Sequence, residues 1–297
     1  MADQPLGVFA GLATLDVIHH VSAVPRANEK VTGTAQFVAA GGPAANAAVT
    51  FAGLGGRAVL LTVLGRGPVA GLIRADLGAW GVEVVDIDPE RTSGAPVSSI
   101  AVTAASGERS VVSADAVSDG AEAPADLADL LIGAGTLLVD GHYPLLAVAA
   151  ARAARDRGIP VVVDAGRWKS VMADLLPLAD AMVCSDDFRY PGTATSAHTA
   201  GILVARGVPG VVTTHGSEPV LWWRQGEHGA VDVPAVEVRD TLGAGDVFHG
   251  AYCYFSSSSG RGIAGDLESA AGIAALRCTV PGPRAWLGLL DSPPSMP

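Results

Sequence analysis

Asp240-Thr241-Leu242-Gly243-Ala244-Gly245-Asp246, followed at once by Val247-Phe248-His249-Gly250-Ala251-Tyr252-Cys253-Tyr254-Phe255, decides how this chain is read. Val247, Phe248, Ala251, Tyr252 and Phe255 recur at helical spacing, which predicts a helix beginning within the glycine turn. Glycines leave backbone N–H groups open to approach, and a helix N-terminus carries partial positive charge. Together they form an anion site. Asp246 is out of place there, because a carboxylate repels the anion such a site holds. The conflict disappears if Asp246 is a base that deprotonates a hydroxyl attacking a phosphate held by the turn. The alternative is an Asp that only caps the helix.

Outward from this stretch, composition sets the frame. A chain of 297 residues with 49% hydrophobic and 16% charged residues suits one large folded α/β unit rather than a disordered chain. A net charge of -11 argues against a broad nucleic-acid or anionic-membrane surface. Cys184, Cys253 and Cys278 lack paired spacing, so reduced thiols are expected rather than a disulfide frame or zinc site. Met1 to Pro5 carry no basic leader and no apolar run reaches membrane-span length, so a cytoplasmic protein is expected.

The pattern alternates between strand and helix. Leu6–Val21 reads as one strand interrupted by Gly11 and Asp16, and Thr34–Ala40 as a short strand. Gly41-Gly42-Pro43-Ala44-Ala45-Asn46 opens a small-residue helix to Leu54, where a ligand can approach the backbone and Asn46 offers both donor and acceptor. No Lys-Ser or Lys-Thr follows, so this is not a P-loop, and the dinucleotide spacing is absent. Further strands are expected at Ala58–Leu64, Val82–Ile87, Pro96–Thr103, Glu108–Ser113, Thr136–Asp140, Ile159–Asp164, Ala181–Cys184 and Gly210–Thr214. A closing hairpin is expected at Val220–Arg224 and Ala230–Val233. Helices are expected at Val69–Trp80, Ala125–Ala134, Pro144–Gly158, Ser170–Ala179, Ala197–Gly207 and Leu267–Arg277, with the tail Asp291–Pro297 frayed. Such alternation implies a parallel sheet covered on both faces. Asp140, Asp164, Ser185 and Thr214 close their strands at the edge where α/β proteins bind ligands.

The early Gly41–Asn46 stretch and the late Asp240–Asp246 stretch together resemble the ribokinase (pfkB) family of carbohydrate kinases, over almost the whole chain. The resemblance implies a single ribokinase-like domain over residues 1–297, a three-layer α/β/α sandwich with a small β-sheet lid formed by about 17–40 and 94–113. It implies Asp246 as catalytic base, Gly243, Ala244 and Gly245 as anion hole, and Asp16, Gly42 and Asn46 on sugar hydroxyls. Thr214 and Gly216 would meet ATP, and Gly282 lies on the loop flanking the adenine. Asp140 and His142 are candidates to line the sugar pocket. Ser185-Asp186-Asp187-Phe188 replaces the family's Asn-x-x-Glu, so either Asp186 or Asp187 takes its place on Mg²⁺ or the metal is held differently, and a role for K⁺ is left open. Gly65-Arg66-Gly67-Pro68 replaces an acidic loop, and Pro219 stands where a second glycine is usual. Gly245–Ala251, Gly107-Glu108-Arg109 and Arg277–Ala285 are most similar to the sulfofructose kinases. Lys30 and Arg109, both on the lid, are candidates to clamp an anionic sugar terminus, and a homodimer joined through the lid is expected. The expected activity is ATP-dependent phosphorylation of a primary hydroxyl of a ketose-type sugar, 6-deoxy-6-sulfofructose in particular. The alternatives are a ribokinase, fructokinase, 2-keto-3-deoxygluconate kinase or adenosine kinase, or a sugar sensor without turnover. His19-His20 has no metal-ligand partners at useful spacing and receives no role.

Overall fold

The computed structural model describes residues 4–115 and 120–290. Its strands are β1 (Leu6–Ala10), β2 (Thr14–Val21), β3 (Ala35–Gly41), β4 (Arg57–Thr62), β5 (Val82–Asp86), β6 (Val97–Thr103) and β7 (Arg109–Ser113), then β8 (Ala134–Val139), β9 (Val161–Ala165), β10 (Ala181–Ser185), β11 (Gly210–His215), β12 (Glu218–Arg224) and β13 (Glu227–Val231). The helices are α1 (Pro43–Gly53), α2 (Pro68–Ala79), α3 (Leu127–Leu130), α4 (Pro144–Arg155), α5 (Met172–Leu175), α6 (Ser196–Ala205), α7 (Ala244–Ser258) and α8 (Gly262–Cys278). α1, α2 and α4 each begin with Pro in the first turn, where its missing N–H costs nothing.

Nine strands form one sheet in the order β13-β12-β11-β10-β9-β8-β1-β4-β5. From β11 to β5 the neighbours are parallel, and β12 and β13 add an antiparallel edge. Val8, Val139, Val161 and Val163 are buried on one face among α4, α5 and α6; Phe9, Leu60, Leu138 and Val183 are buried on the other among α1, α2, α7 and α8. This is a three-layer α/β/α sandwich. A second sheet, β3-β2-β6-β7, stands beside it, with β2 pairing antiparallel to β3 and parallel to β6.

Leu6–Val21 is not one strand. The chain leaves the main sheet at Ala10, crosses Gly11–Ala13, and enters the second sheet at Thr14. The apolar run is continuous because both strands are largely buried, so hydrophobicity alone could not mark the break. Asp16 therefore lies within β2 of the small sheet, not at the carboxyl edge of the large one. The expected helices 125–134 and 170–179 shrink to single turns, the second continued by a 3₁₀ turn over Leu176–Leu178. A 3₁₀ turn at Ala285–Leu289, which the sequence pattern had not revealed, seats Trp286 and Leu287 in the core. The expectation for Asp291–Pro297 falls outside the described residues.

α1 and α7 meet face to face. A Cβ on Gly250 would lie 2.2 Å from the Ala47 carbonyl oxygen, so only glycine permits this approach. That contact carries Asn46 on α1 to Asp246 on α7, although 200 residues separate them in sequence.

Candidate active site

Gly243 holds φ 74 in the left-handed region, which turns the chain into α7 without Cβ strain. Among the described residues no side chain caps this 15-residue helix, so its first-turn N–H groups are left for an outside acceptor. Of the three expected anion-hole residues, Ala244 is partly committed: its N–H donates to the Thr241 carbonyl at 3.2 Å. The loop is clamped from the small sheet, because Thr241 donates through both N–H (3.1 Å) and Oγ1 (2.7 Å) to the Gly107 carbonyl.

Asp246 lies in the first turn of α7, and its Oδ2 accepts a 2.8 Å hydrogen bond from Asn46 Nδ2. Burial, followed by the nearby Asp164 carboxylate, pushes Asp246 up to about 6 from its ordinary 3.8, against the opposing effects of the Asn46 hydrogen bond, His249 and Arg109. Asp164, at the end of β9, and His249, one helical turn beyond Asp246, are both buried, with His249 Nε2 3.5 Å from Asp164 Oδ1. Asp16 and Asn46 line one pocket with Leu242, Gly243, Arg284 and Trp286. Asp16 accepts from Thr14 Oγ1 at 2.6 Å; burial raises its pKa despite hydrogen bonds from Thr14 and Ser98 and the charge of Arg284. Gly42 is the residue before α1, with φ 96.

The structure thus brings together Asp16, Gly42, Asn46, Gly243, Ala244, Gly245 and Asp246. Arg109, at the start of β7, joins them, its guanidinium 3.5 Å from Thr241 Oγ1 and near enough to act on Asp246. Lys30 does not join: it lies in an exposed loop with no hydrogen bond or ion pair among the described residues.

The other expected site residues lie outside this group. Asp140 is buried, and its carboxylate accepts from the N–H groups of Leu12 (2.8 Å), Ala44 (3.4 Å) and His142 (3.0 Å). Burial would raise it, but the charge and hydrogen bonds of His142 and the charge of Lys169 outweigh that and bring it to about 2. Its oxygens tie the β1–β2 crossing to α1. His142 is turned toward Asp140, with Nδ1 3.2 Å from its Oδ1. Gly282 donates through its N–H to Asp240 Oδ2 at 3.0 Å, and a Cβ there would lie 2.8 Å from the Phe37 ring of β3, on the small-sheet side. Thr214 and Gly216 lie at the end of β11, Gly216 in an open turn with φ 64. Asp186 pairs with His215, Oδ1 to Nδ1 at 3.0 Å, while Asp187 beside it is exposed. Among the described residues no three His, Cys, Asp or Glu side chains cluster to hold a metal ion.

Sequence reasoning missed four contributors. Asp164 was noticed only as a strand end. His249 and Arg284 stood inside quoted stretches without a role, and Arg284's position in a Pro-Gly-Pro-Arg turn was the available signal. Asp240 is fully buried between Arg277 (Nη2 to Oδ2, 3.2 Å) and His20 (Nε2 to Oδ2, 3.4 Å), which gives the unassigned His20 a structural place.

A carboxylate at an uncapped helix start, beside a polar pocket under a second sheet, suits the transfer of a phosphoryl group to an alcohol. The chain matches the pfkB family carbohydrate kinase over residues 6–287 and belongs to that family. It is similar to a ribokinase of Haemophilus influenzae, 24% identical over 245 residues, covering 78% of this chain and 80% of that one. A deoxyribokinase of Salmonella typhi is 25% identical over 286 residues, covering 88% and 87%. The solved structure of Arabidopsis thaliana ribokinase complexed with ribose and ATP superposes with a TM-score of 0.76 at 23% identity, covering 97% and 99%, a likeness of fold.

Proposed function

We propose that this carbohydrate kinase transfers the γ-phosphoryl group of ATP to a primary hydroxyl of a ketose-type sugar, with 6-deoxy-6-sulfofructose the preferred acceptor. The observation that carries the phosphotransfer is Asp246: a carboxylate pushed up to about 6, fixed by Asn46, at the open start of α7 and beside the Asp16–Asn46 pocket. A base with its pKa near the working pH is both deprotonated and basic enough to help.

Asp16 and Asn46 orient the sugar so that its hydroxyl faces Asp246. Asp246 takes the hydroxyl proton as the new O–P bond forms and the bond to the leaving ADP breaks. The N–H groups of Gly243 and Gly245 and the α7 dipole receive the charge that gathers on the phosphoryl oxygens, a contribution of about 3 kcal/mol by analogy with a single oxyanion donor. Thr214 and Gly216, at the carboxyl end of β11, would meet the nucleotide. The second sheet, acting as a lid clamped to Thr241, excludes water that would otherwise accept the phosphate. Mg²⁺ in such sites uses one or two carboxylates with water and the phosphates themselves, which fits exposed Asp187 and, once released from His215, Asp186; when bound it neutralises phosphate charge. No step is assigned to K⁺.

The sulfosugar preference is supported by the three stretches similar to sulfofructose kinases and by the guanidinium of Arg109, which reaches Thr241 and acts on Asp246. Val38, Val97 and Val112 are 53%, 39% and 75% exposed on the outer face of the second sheet, which supports a homodimer formed through it. ADP release should be measured over ketoses, 6-sulfo and 6-phospho sugars and nucleosides. ATP consumption dependent on a 6-sulfoketose is expected. A preference for a neutral sugar overturns the sulfosugar assignment, and sugar binding without turnover on any sugar overturns the kinase.

A further inference from the structure

Arg284 enters the pocket beside Asp16 and Asn46, which invites a reading as an anion receptor. Its hydrogen bonds say otherwise. A guanidinium has five N–H donors, and the protein uses them all. Nε and Nη2 donate to Asp76 Oδ2 at 3.3 and 3.0 Å, and Nη2 also to the Ala40 carbonyl at 2.7 Å. Nη1 donates to Asn46 Oδ1 at 3.1 Å and to the Pro283 carbonyl at 3.5 Å. Asp76 Oδ2 in turn accepts from the Ala40 N–H at 3.0 Å, so the guanidinium is braced between α2 and the end of β3. Its side chain is 12% exposed. No donor is left over for a substrate anion.

The contact with Asn46 has a directional consequence. Arg284 can only donate, so Asn46 must present its carbonyl oxygen to it. The amide nitrogen then faces Asp246 Oδ2, the 2.8 Å contact already described. A flipped amide would set donor against donor at Arg284 and oxygen against oxygen at Asp246, leaving two partly buried conflicts. With Oδ2 already accepting a hydrogen bond, a proton arriving at Asp246 is directed to Oδ1. We propose that Arg284 is a positioning residue that locks the Asn46 amide and thereby determines which oxygen of Asp246 works as the base.

This rests on the assignment of Asp246 as base. The groups acting on Asp246 are Asp164 from β9, Asn46 from α1, His249 from α7 and Arg109 from β7. Loss of the Asn46 donor removes one interaction that favours the carboxylate. The test is the pH dependence of kcat/KM and kcat for Arg284→Met, alone and with Asp76→Asn to avoid leaving an uncompensated carboxylate, each also in an Asn46→Ala background. Folding is checked by circular dichroism. In the Arg284 variants the acid limb should move up by roughly one pH unit, with kcat down by roughly tenfold and sugar KM changed less than about threefold. In the Asn46→Ala background, removing Arg284 should add little. An unmoved acid limb, a rise in KM alone, or shifts that add fully in the Asn46→Ala background would overturn the proposal. Full turnover by Asp246→Asn would instead overturn the base assignment, so the two failures are separable. If Arg284→Met is misfolded, the same criteria apply to the Arg284→Met/Asp76→Asn pair.

Discussion

Asp246→Asn should make the protein slower and, at neutral pH, more stable. The activity loss follows from removing the proton acceptor, roughly 10²–10⁴-fold in kcat with sugar affinity nearly unchanged. The stability gain follows from burial. Moving Asp246 from its ordinary 3.8 to about 6 corresponds to about 3 kcal/mol of penalty on the folded carboxylate, at roughly 1.4 kcal/mol per unit. The folded pKa is the raised one. Asp246 therefore costs nothing where it is protonated in both states, below 3.8, and its full penalty develops as pH rises through about 6. Asn carries no charge at any of these pH values and keeps an oxygen for the Asn46 N–H. The variant should exceed the native chain by about 2–3 kcal/mol near pH 7.5, and the gap should close toward pH 4. Urea unfolding of both proteins at about pH 4, 5.5 and 7.5 measures it. A gap that is absent at pH 7.5, or equally large at pH 4, would refute the account of a base held against its own hydration.

Asp164→Asn and His249→Phe should move the acid limb of kcat/KM in opposite directions, down for Asp164 and up for His249, because one raises and the other lowers Asp246; shifts of the same sign would sink that electrostatic picture. Asp140→Asn should destabilise by about 2 kcal/mol at neutral pH. Its folded pKa is depressed to about 2, so the contribution is present above 3.8 and disappears as pH falls through about 2; calorimetric melting between those values would show it, and equal loss at all pH would contradict it. Arg109→Met should weaken a 6-sulfoketose by ~10–150-fold while barely changing a neutral ketose, and Lys30→Met should do the same if its loop folds over the bound sugar. Equal loss for both sugars would remove the anionic clamp.

Much of this architecture was readable in one dimension because its causes are local. Proline at helix starts, left-handed glycine before α7, and β-branched runs bounded by turns act through a few neighbouring residues, so the α/β alternation and the Gly243–Asp246 turn are legible without coordinates. What tertiary structure alone decided is where continuous apolar sequence changes partner. Leu6–Val21 is equally buried in two different sheets, and only the pairing of β1 with β4 and β8, and of β2 with β3 and β6, shows the crossing that carries Asp16 over the pocket. The same limit applies to charge. Asp140 reads as a strand-end carboxylate and Asp246 as one at a helix start, yet three N–H groups and His142 surround the first, while desolvation and Asp164 act on the second. Their opposite pKa shifts, and the bracing of Asn46 by Arg284, depend on groups distant in sequence that meet only when α1, α7 and the Arg284 loop pack together.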